Sequence, residues 1–342
     1  MRVLAVTNMY PTPETPTAGL FIEAQVEGLR RIGVDVEVLL LNRLLGGAKV
    51  YRGLGRRLAP FFEGGGAPDL VHAMYGGVMA ERVVASIGGR VPVVVTFHGS
   101  DLQGSPLSPP HRRILAFLGV RASKIAAGRA AGIVAVSEHL VALLPRSVDR
   151  RRVRVIPCGI DLRRFVPMDR ESCRRELAWE ADSFCVLFAT GNDDPVKRPG
   201  LARAAVDLLR AEGVGAVLKV MHGVPYADVP KWINASDVLL LTSFREGSPT
   251  IVKEALACDV PIVSTPAGDV SEQIAGVSGC YMSSAEPSSL AEKLSLVHGA
   301  GGRVTGRWKV APLAEDVVAA RLRDFYAEVL SRFAERREVS RS

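Results

Sequence analysis

The 342-residue sequence lacks the features that define several common classes of protein. It has no uninterrupted run of about 18 apolar residues, so no membrane-spanning helix is predicted. Its five cysteines are scattered and form no C-x-x-C pair, which argues against a disulfide framework and against a zinc site. No G-x-G-x-x-G follows the first predicted strand, which argues against a dinucleotide cofactor. The first ten residues, MRVLAVTNMY, have the pattern of a strand and not of a secretion signal, so a cytoplasmic location is expected.

Hydrophobic residues make up 48% of the sequence, and many of them lie in short runs rich in Val, Ile and Leu. Such runs, mostly without alternation, are typical of parallel strands buried on both faces. Six are predicted in the first half, at Val3–Asn8, Val34–Leu41, Asp69–Tyr75, Pro92–His98, Gly132–Ser137 and Val153–Pro157. Five are predicted in the second half, at Phe184–Thr190, Ala216–His222, Asp237–Ser243, Val260–Thr265 and Gly279–Met282.

Helical segments alternate with these strands, which predicts a doubly wound α/β fold. They are Gly19–Ile32, Val78–Ile87, His111–Arg129, Glu138–Leu144, Arg198–Glu212, Asp228–Asn234, Pro249–Cys258, Val270–Ala275, Ser288–His298 and a final helix, Leu313–Arg337. The length favours two domains, predicted at residues 1–160 and 161–319, with the charged connector 161–180 opening the second. The final helix, at about 320–338, is a candidate to pack back onto the first domain.

The segment Ser243–Asp269 contains the most informative helix start in the sequence. Pro249 suits the first helical position, and Ser248 before it is a good N-cap. The next three backbone amides would point out of the helix end, where the helix dipole favours an anion such as a phosphate. Those amides belong to Thr250, Ile251 and Val252.

Two carboxylates flank this predicted anion seat. Glu246 lies in the turn before the helix, and Glu254 lies in its second turn. Acids on both sides of a phosphate seat suit the hydroxyl groups of a sugar nucleotide.

Other candidates follow the predicted strands, because open α/β sheets bind ligands at the carboxyl ends of their strands. In the first half, Gly19 opens a helix and could bring backbone amides near a phosphate, or it could simply pack close to a neighbour. His98, Ser100 and Asp101 follow the fourth strand, as TFHGSD; a lone histidine is more often structural than catalytic.

In the second half, two cations and a histidine follow the strands. Lys197 and Arg198 stand at a predicted helix start, where they could neutralise a diphosphate or form an exposed helix end. His222 and Gly223 could approach a flat base, although a glycine alone is weak evidence. His72, His111, His139 and His298 are given no role.

Positive charge is concentrated in the first half of the sequence. Residues 1–160 hold 20 Lys and Arg against 11 Asp and Glu, a net charge of +9. The segment Asn42–Phe62 mixes arginines with apolar residues and could lie on an anionic membrane surface, or it could be a solvated helix and loop. No nucleic-acid-binding motif accompanies the basic residues, so nucleic acid is not expected as a partner.

Several segments together resemble the family-4 glycosyltransferases, which have the two-domain GT-B fold. They are TFHGSD, AVSEHL, VIPCGID, PVKR and SFREGSPTIVKEALACDVPIVSTPAGDVSEQI, and the last matches the family's Glu-x7-Glu element. The resemblance covers nearly the whole length. It implies two Rossmann-like domains that face each other across a cleft, the first for an acceptor and the second for a nucleotide-sugar donor.

The resemblance also implies roles for the candidate residues. Glu254 would bind the ribose hydroxyls and Glu246 the hydroxyls of the donor sugar. Lys197, Arg198 and the amides of 250–252 would hold the diphosphate, which Gly19 would approach from the other domain. His98 would orient the transferred sugar.

The family retains anomeric configuration, and no carboxylate in this chain stands out as a nucleophile for double displacement. A front-face displacement is therefore expected, without a metal or another cofactor, since no D-x-D cluster appears where one would be expected. The expected partners are a nucleotide sugar, UDP- or GDP-linked, and an acceptor that is a saccharide, a lipid-linked compound or a small molecule. Peripheral contact of the basic first domain with the inner membrane face is an additional expectation.

Departures from the family pattern keep other functions open. Ala18 stands where a second glycine is usual, Cys158 where an asparagine is common, and Asp193 and Asp194 near the place of a usual arginine. The stretch between Ala216 and Asp237 is short enough to omit a strand. A GT-B epimerase or phosphorylase would use the same cleft, although no pyridoxal-phosphate lysine context is found. A catalytically idle sugar-nucleotide-binding scaffold or lipid-surface protein is the alternative from a different class.

Overall fold

The computed structural model describes residues 1–63, 66–104, 107, 109–190 and 195–339, without the side chains of Leu44 and Ala48. Backbone contacts divide the chain into two compact units. The first contains Met1–Gly159 together with the chain from Glu315 onward, and the second contains Ile160–Ala314.

A six-stranded parallel sheet forms the centre of the first unit, in the order β2-β1-β3-β4-β5-β6. Its strands are β1 (Arg2–Thr7), β2 (Asp35–Leu40), β3 (Leu70–Ala73), β4 (Val93–Phe97), β5 (Gly132–Ala135) and β6 (Val153–Val155). Alternate residues of β1 enter separate hydrophobic cores, Val3 and Ala5 in one and Leu4 and Val6 in the other. The four central strands, β1, β3, β4 and β5, are buried on both faces, which explains why they are nearly continuous apolar runs.

A five-stranded parallel sheet forms the centre of the second unit, in the order β11-β10-β9-β7-β8. Its strands are β7 (Phe184–Ala189), β8 (Ala216–Met221), β9 (Val238–Leu241), β10 (Ile262–Ser264) and β11 (Tyr281–Met282). Two cores again cover its faces, one reached by Leu187 and the other by Val186 and Phe188. All eleven predicted strands are confirmed, each ending within a few residues of the predicted bounds.

Helices connect the strands of each sheet. They are α1 (Leu20–Arg31), α2 (Arg43–Gly46), α3 (Leu54–Leu58), α4 (Gly77–Ile87), α5 (Ser100–Gln103), α6 (Pro110–Arg129), α7 (Glu138–Ala142), α8 (Arg170–Glu176), α9 (Pro199–Ala211), α10 (Val229–Ala235), α11 (Thr250–Ala257), α12 (Val270–Ile274), α13 (Pro287–Ala300), α14 (Arg307–Val310) and α15 (Glu315–Val339). The predicted connector 161–180 contains α8, because Asp169 accepts a hydrogen bond from the Ser172 amide and caps that helix.

The last helix, α15, begins at Glu315 and not at the predicted Leu313, because Ala311–Leu313 forms a separate 3-10 turn. It packs in the first unit, where Phe325 and Val329 lie against Gly132 so closely that a Cβ there would stand 2.7 Å from Val329. The Tyr326 hydroxyl lies 2.6 Å from Nδ1 of His72 on β3. This helix is therefore part of the first core.

The two chain ends of the second unit lie side by side. Ile160 and Ala314 form a parallel β-bridge, and the Ile160 amide donates to the Leu313 carbonyl oxygen at 2.9 Å. Within the first unit, Gly159 approaches Glu315, so that a Cβ at 159 would lie 2.9 Å from the Glu315 Cα.

The basic segment Asn42–Phe62 packs several of its apolar residues against the first unit. Leu54 and Leu58 are fully buried, and Tyr51, Phe61 and Phe62 pack against the core of the first unit. Its arginines are exposed, as expected for a solvated helix and loop. Within the described part of the chain, no helix is long and apolar enough to span a membrane.

Candidate functional site

The candidate site of the second unit lies where β9 passes into α11. The helix begins at Thr250, and Pro249, with φ −67° and ψ 121°, occupies the N-cap position. Ser248 is therefore not the N-cap, which corrects the prediction, and its hydroxyl accepts a hydrogen bond from Gln273 Nε2 at 3.3 Å instead. The extended backbone of proline moves the helix start by one residue.

The three residues predicted to form an anion seat lie at the start of α11. Thr250, Ile251 and Val252 are the first three residues of α11, so their amides have no acceptor four residues earlier within the helix. The positive end of the helix dipole lies at the same position. The helix has eight residues and its interior is buried, which fixes its direction.

An ion pair joins the loops that follow β7 and β9. The ammonium of Lys197 lies 2.6 Å from Oε1 of Glu246, and both side chains are mostly buried. The sequence placed these residues separately at two strand ends, and the structure brings them together beside the start of α11. Asp193 and Asp194, the acids noted near the place of the family arginine, lie outside the described residues.

Arg198 holds the end of β9 in position. Its Nε donates to the Thr242 carbonyl oxygen at 2.6 Å, and its Nη2 donates to the Ser243 carbonyl oxygen at 3.0 Å and to Oγ1 of Thr265 at 3.2 Å. Burial lowers the pKa of this guanidinium. Arg198 also has a left-handed backbone, with φ 51°, at the N-cap of α9. Three hydrogen bonds of its side chain thus serve the protein itself, which is a structural role that the sequence did not reveal.

Glu254 is buried inside α11. It is 7% exposed, and the Tyr226 hydroxyl donates to its Oε1 at 3.4 Å. Burial raises the pKa of the Glu254 carboxyl to about 7, although the hydrogen bond from Tyr226 and the charge of Lys253 oppose the rise. The ionised form of a carboxylate that is buried away from water is stabilised by a hydroxyl group that donates a hydrogen bond to it.

Two further residues complete this region and were missed by sequence reasoning. Lys253 is fully buried in α11, and its positive charge lowers the pKa values of both Glu254 and Asp269 against the raising effect of burial. Gly268, with φ 59°, lies so close to the 246–247 turn that a Cβ would stand 2.7 Å from the Gly247 carbonyl oxygen. The position of Gly268 directly after a predicted strand could have identified it from the sequence. No sequence feature indicated a role for Lys253.

His222 and Gly223 lie after β8, as predicted. His222 is exposed, and its Nδ1 lies 3.3 Å from the Thr190 carbonyl oxygen. Gly223 has φ 65°, and among the described residues no atom beyond its own chain neighbours lies within 4 Å of the position that a Cβ would take there. A cavity of about 390 Å³ lies beside His222, lined also by Phe188, Pro199 and Arg203, but its lining includes neither glutamate.

In the first unit, Gly19 is required by close packing. Its φ is 73°, and a Cβ would stand 2.7 Å from the Met9 carbonyl oxygen. The close-packing interpretation of this glycine is therefore supported. Its predicted approach to a diphosphate stays a prediction.

His98 is held from three sides. Its Nε2 donates to the Met74 carbonyl oxygen at 3.0 Å, and its ring stacks on Tyr75 with an interplanar angle of 8°. The Sγ of Cys158 lies 3.7 Å from the other ring nitrogen, Nδ1. Both ring nitrogens of His98 therefore lie against groups of the first unit. The cysteine that replaces the usual asparagine contacts the predicted catalytic histidine.

The two acceptor-side candidates hold the loop around His98. The buried carboxylate of Asp101 accepts the amides of Gly76 at 3.1 Å, His98 at 3.1 Å and Gly99 at 2.9 Å. Burial raises the pKa of Asp101 and these amides oppose the rise. Oγ of Ser100 lies 2.6 Å from the Tyr75 hydroxyl oxygen. The geometry gives Asp101 a positioning role.

Comparison with known proteins identifies the family to which this sequence is similar. The model of Glycosyltransferase Family 4 matches residues 6–164, and the model of Glycosyl transferases group 1 matches residues 179–298. TuaC of Bacillus subtilis (strain 168), named a putative teichuronic acid biosynthesis glycosyltransferase, is 28% identical to this chain over 334 residues. The alignment covers 79% of this chain and 82% of TuaC. A D-inositol 3-phosphate glycosyltransferase of Catenulispora acidiphila is 27% identical over 287 residues, covering 70% of this chain and 66% of its own.

Solved structures share the fold. The sucrose-phosphate synthase of Thermosynechococcus elongatus has a TM-score of 0.75 at 15% identity, covering 97% of this chain and all of that one. Anabaena HepE in complex with UDP has a TM-score of 0.64 at 18% identity, covering 99% of this chain and all of that one. Two parallel-sheet α/β domains of this kind form the GT-B fold. The chain belongs to glycosyltransferase family 4.

Proposed function

We propose that the chain transfers a sugar from a nucleoside-diphosphate sugar, UDP- or GDP-linked, to an acceptor hydroxyl with retention of anomeric configuration. The observation that carries this proposal is the Lys197–Glu246 ion pair beside the first amides of α11. A cation, an acid and the amides of a helix start at one strand edge are the groups that a sugar diphosphate needs.

The diphosphate would be bound at the start of α11. Backbone amides and the dipole of the helix attract its negative charge, and the ammonium of Lys197 adds a full positive charge. That ammonium carries three N–H donors, so it can keep its bond to Glu246 and still donate to a phosphate oxygen. Charge that develops on the leaving diphosphate would be stabilised by groups already in place.

The two glutamates would bind different parts of the donor. Glu254, buried and bonded to Tyr226, would accept hydrogen bonds from the ribose hydroxyls. Glu246, held by Lys197 in the turn before α11, would accept hydrogen bonds from the hydroxyls of the transferred sugar. HepE was crystallised with UDP and with UDP-glucose, which supports a nucleotide sugar as the donor class here.

Retention would follow from front-face displacement. The bond from the anomeric carbon to the diphosphate oxygen breaks, and its electron pair leaves with the diphosphate. The acceptor oxygen bonds to the same face of that carbon, and its proton passes to the departing diphosphate. The products are a glycoside and a nucleoside diphosphate, and the reaction uses the protein's own cations in place of a metal.

The acceptor would be anionic or lipid-linked. The first unit contains most of the basic excess of the sequence, which favours a negatively charged partner. The names of the relatives mention teichuronic acid and inositol 3-phosphate, both of which are acidic. A role in the synthesis of a cell-surface polysaccharide or glycolipid is consistent with both observations.

A donor screen tests the proposal. Purified protein is incubated with UDP-, GDP- and ADP-sugars, with and without EDTA, and nucleoside diphosphate release is measured. Turnover with one nucleotide class, unchanged by EDTA, is expected; mass spectrometry of a co-purifying nucleotide would select that class in advance. Binding without turnover for every donor would favour an idle scaffold, and a new sugar nucleotide formed without acceptor would favour an epimerase. Proton NMR of the glycoside must show the donor's anomeric configuration.

A further inference from the structure

The first half of α6 exposes large apolar side chains to solvent. Ile114 is 63% exposed, Leu115 62%, Phe117 67% and Leu118 50%. Four adjacent apolar side chains of this size, each at least half exposed, form a patch of a kind that marks an interaction surface in a water-soluble domain.

This part of α6 projects from the domain. Oγ of Ser123 donates to the Asp101 carbonyl oxygen at 2.7 Å and accepts the Gly77 amide at 2.7 Å, so Ser123 lies level with the carboxyl ends of β3 and β4. The 13 residues from Pro110 to Ala122 precede this anchor. At 1.5 Å per residue they extend for about 20 Å. Only the second half of the helix contributes buried residues, from Ala122 to Ala127.

The exposed residues have a helical arrangement. Ile114, Phe117 and Leu118 are three and four residues apart, so they lie on one side of the helix. Ile125, 37% exposed, continues this stripe by two further turns. The apolar stripe therefore extends from the exposed first half of α6 into its second half.

Positive charge accompanies the stripe. Helix α6 contains five arginine and lysine residues and no acidic residue. Arg113 precedes Phe117 by four residues and Arg121 follows it by four, so both lie next to it on the helix. An apolar stripe flanked by arginine and lysine has the chemistry that binds an anionic lipid surface.

We propose that α6 binds this protein to anionic lipid bilayers, with Phe117 and its apolar neighbours inserted at the interface. The charge argues against a second copy of the chain as the occupant, because symmetric pairing of this face would bring like charges together. The segment Asn42–Phe62 is a poorer membrane contact, since Leu54 and Leu58 are buried in the core and Phe61 and Phe62 pack against it. The proposal does not depend on the donor chemistry.

Vesicle sedimentation of the full-length protein tests the proposal. Vesicles of phosphatidylcholine with about 30% phosphatidylglycerol are expected to bind it, and pure phosphatidylcholine vesicles are expected to bind it at least about tenfold less. Added salt should reduce the bound fraction because it screens the attraction. Absence of binding to the anionic vesicles would overturn the proposal, as would equal binding to both kinds.

Apolar substitutions locate the contact. I114S with F117S should weaken vesicle binding about tenfold or more, because both side chains are exposed and their loss does not disturb a core. The matched control is Leu45→Ser, since Leu45 is 65% exposed in the segment Asn42–Phe62. A larger loss from the control would place the contact elsewhere. In a Phe117→Trp variant, quenching of the added fluorescence by brominated lipid must exceed that of the parent.

Charge reversals provide a second, independent comparison. R113E with K124E should abolish the preference for anionic vesicles, whereas R52E with R56E makes the same charge change in the other basic segment and should reduce it less. A reversed order would contradict the assignment to α6. Sedimentation velocity distinguishes the remaining possibility: a dimer that I114S with F117S converts to monomer, together with no vesicle binding, would mean that this face joins two copies.

Discussion

The ammonium of Lys197 lies 2.6 Å from Oε1 of Glu246 and thereby joins the loops after β7 and β9, which are neighbouring strands. Parallel strands end at the same edge of a sheet, so residues 49 positions apart in sequence meet there. The pair holds a cation and an acid beside the start of α11. Both residues are predicted to act on the donor.

Substitution of the two glutamates should separate donor binding from transfer. Glu246→Ala is expected to lower kcat by about 10²-fold or more, because it would remove the proposed contacts to the reacting sugar and leave Lys197 without this partner. Glu254→Ala is expected chiefly to weaken nucleotide binding. Calorimetry with nucleoside diphosphate and steady-state kinetics measure the two effects. Glu272→Ala, on the exposed side of α12, is the control, and equal binding losses for both site variants would contradict the division of roles.

Nucleotide affinity should depend on the ionisation of Glu254. Burial raises the pKa of this carboxyl to about 7, and ribose hydroxyls donate best to the ionised form. Affinity for the nucleoside diphosphate is therefore expected to rise between about pH 6 and pH 8. A Glu254→Gln variant should bind more weakly and show less pH dependence. An unchanged slope in that variant would mean that another group titrates.

The same carboxyl should make stability depend on pH in the free protein. Between its ordinary pKa of 4.5 and about 7, Glu254 is ionised in the unfolded chain but holds a proton in the folded one. The free energy of unfolding contributed by this group therefore falls as pH rises through that range, by on the order of 1–3 kcal/mol. Urea unfolding at about pH 5 and pH 8 measures it. The stability of Glu254→Gln relative to wild type should be greater at the higher pH.

The hydrogen bond between Tyr326 on α15 and His72 on β3 can be tested by removing the tyrosine hydroxyl group. His72 is fully buried between Tyr326 and Thr96, and burial lowers its pKa to about 3, so it stays neutral at physiological pH. Tyr326→Phe leaves Nδ1 of His72 without its partner and is expected to cost about 1–3 kcal/mol of unfolding free energy. Tyr281→Phe is the control, since within the described residues no hydrogen bond of the Tyr281 hydroxyl is found. Equal losses would argue against the bond.

Gly19→Ala should be destabilising for two reasons that a control can separate. The position has φ 73°, and the added methyl would stand 2.7 Å from the Met9 carbonyl oxygen. Gly33→Ala has a similar φ of 84° but open space around it, so it reports the backbone strain alone. Thermal unfolding should show a larger loss at Gly19, by about 1–2 kcal/mol. If Gly19→Ala lowers the free energy of unfolding no more than Gly33→Ala does, the loop at Met9 must move to accommodate the added methyl group.

The fold was predictable because its signals are local. The strands are short apolar runs, and Val3 to Val6 already show the continuous pattern that burial on both faces requires. The helix starting near residue 249 was also predictable, but its N-cap was not. Either Ser248 or Pro249 can occupy that position, and the extended backbone of the proline decided the outcome.

The contacts within the site were less predictable than its residues. Lys197, Glu246 and Glu254 follow from the strand ends and the family spacing. The pairing of Lys197 with Glu246, and the use of Arg198 to hold the Thr242 and Ser243 carbonyl groups, depend on how separate loops fold together. Sequence spacing contains no information about such distances.

The bridge between Ile160 and Ala314 makes the second unit an insertion with adjoining ends. The chain leaves the first unit at Gly159 and returns at Glu315, two residues that touch. A different insert with the same end-to-end spacing could therefore replace it while the first unit keeps its own continuity through α15. The second unit could therefore be exchanged between relatives, by engineering or by recombination, at these two adjoining positions.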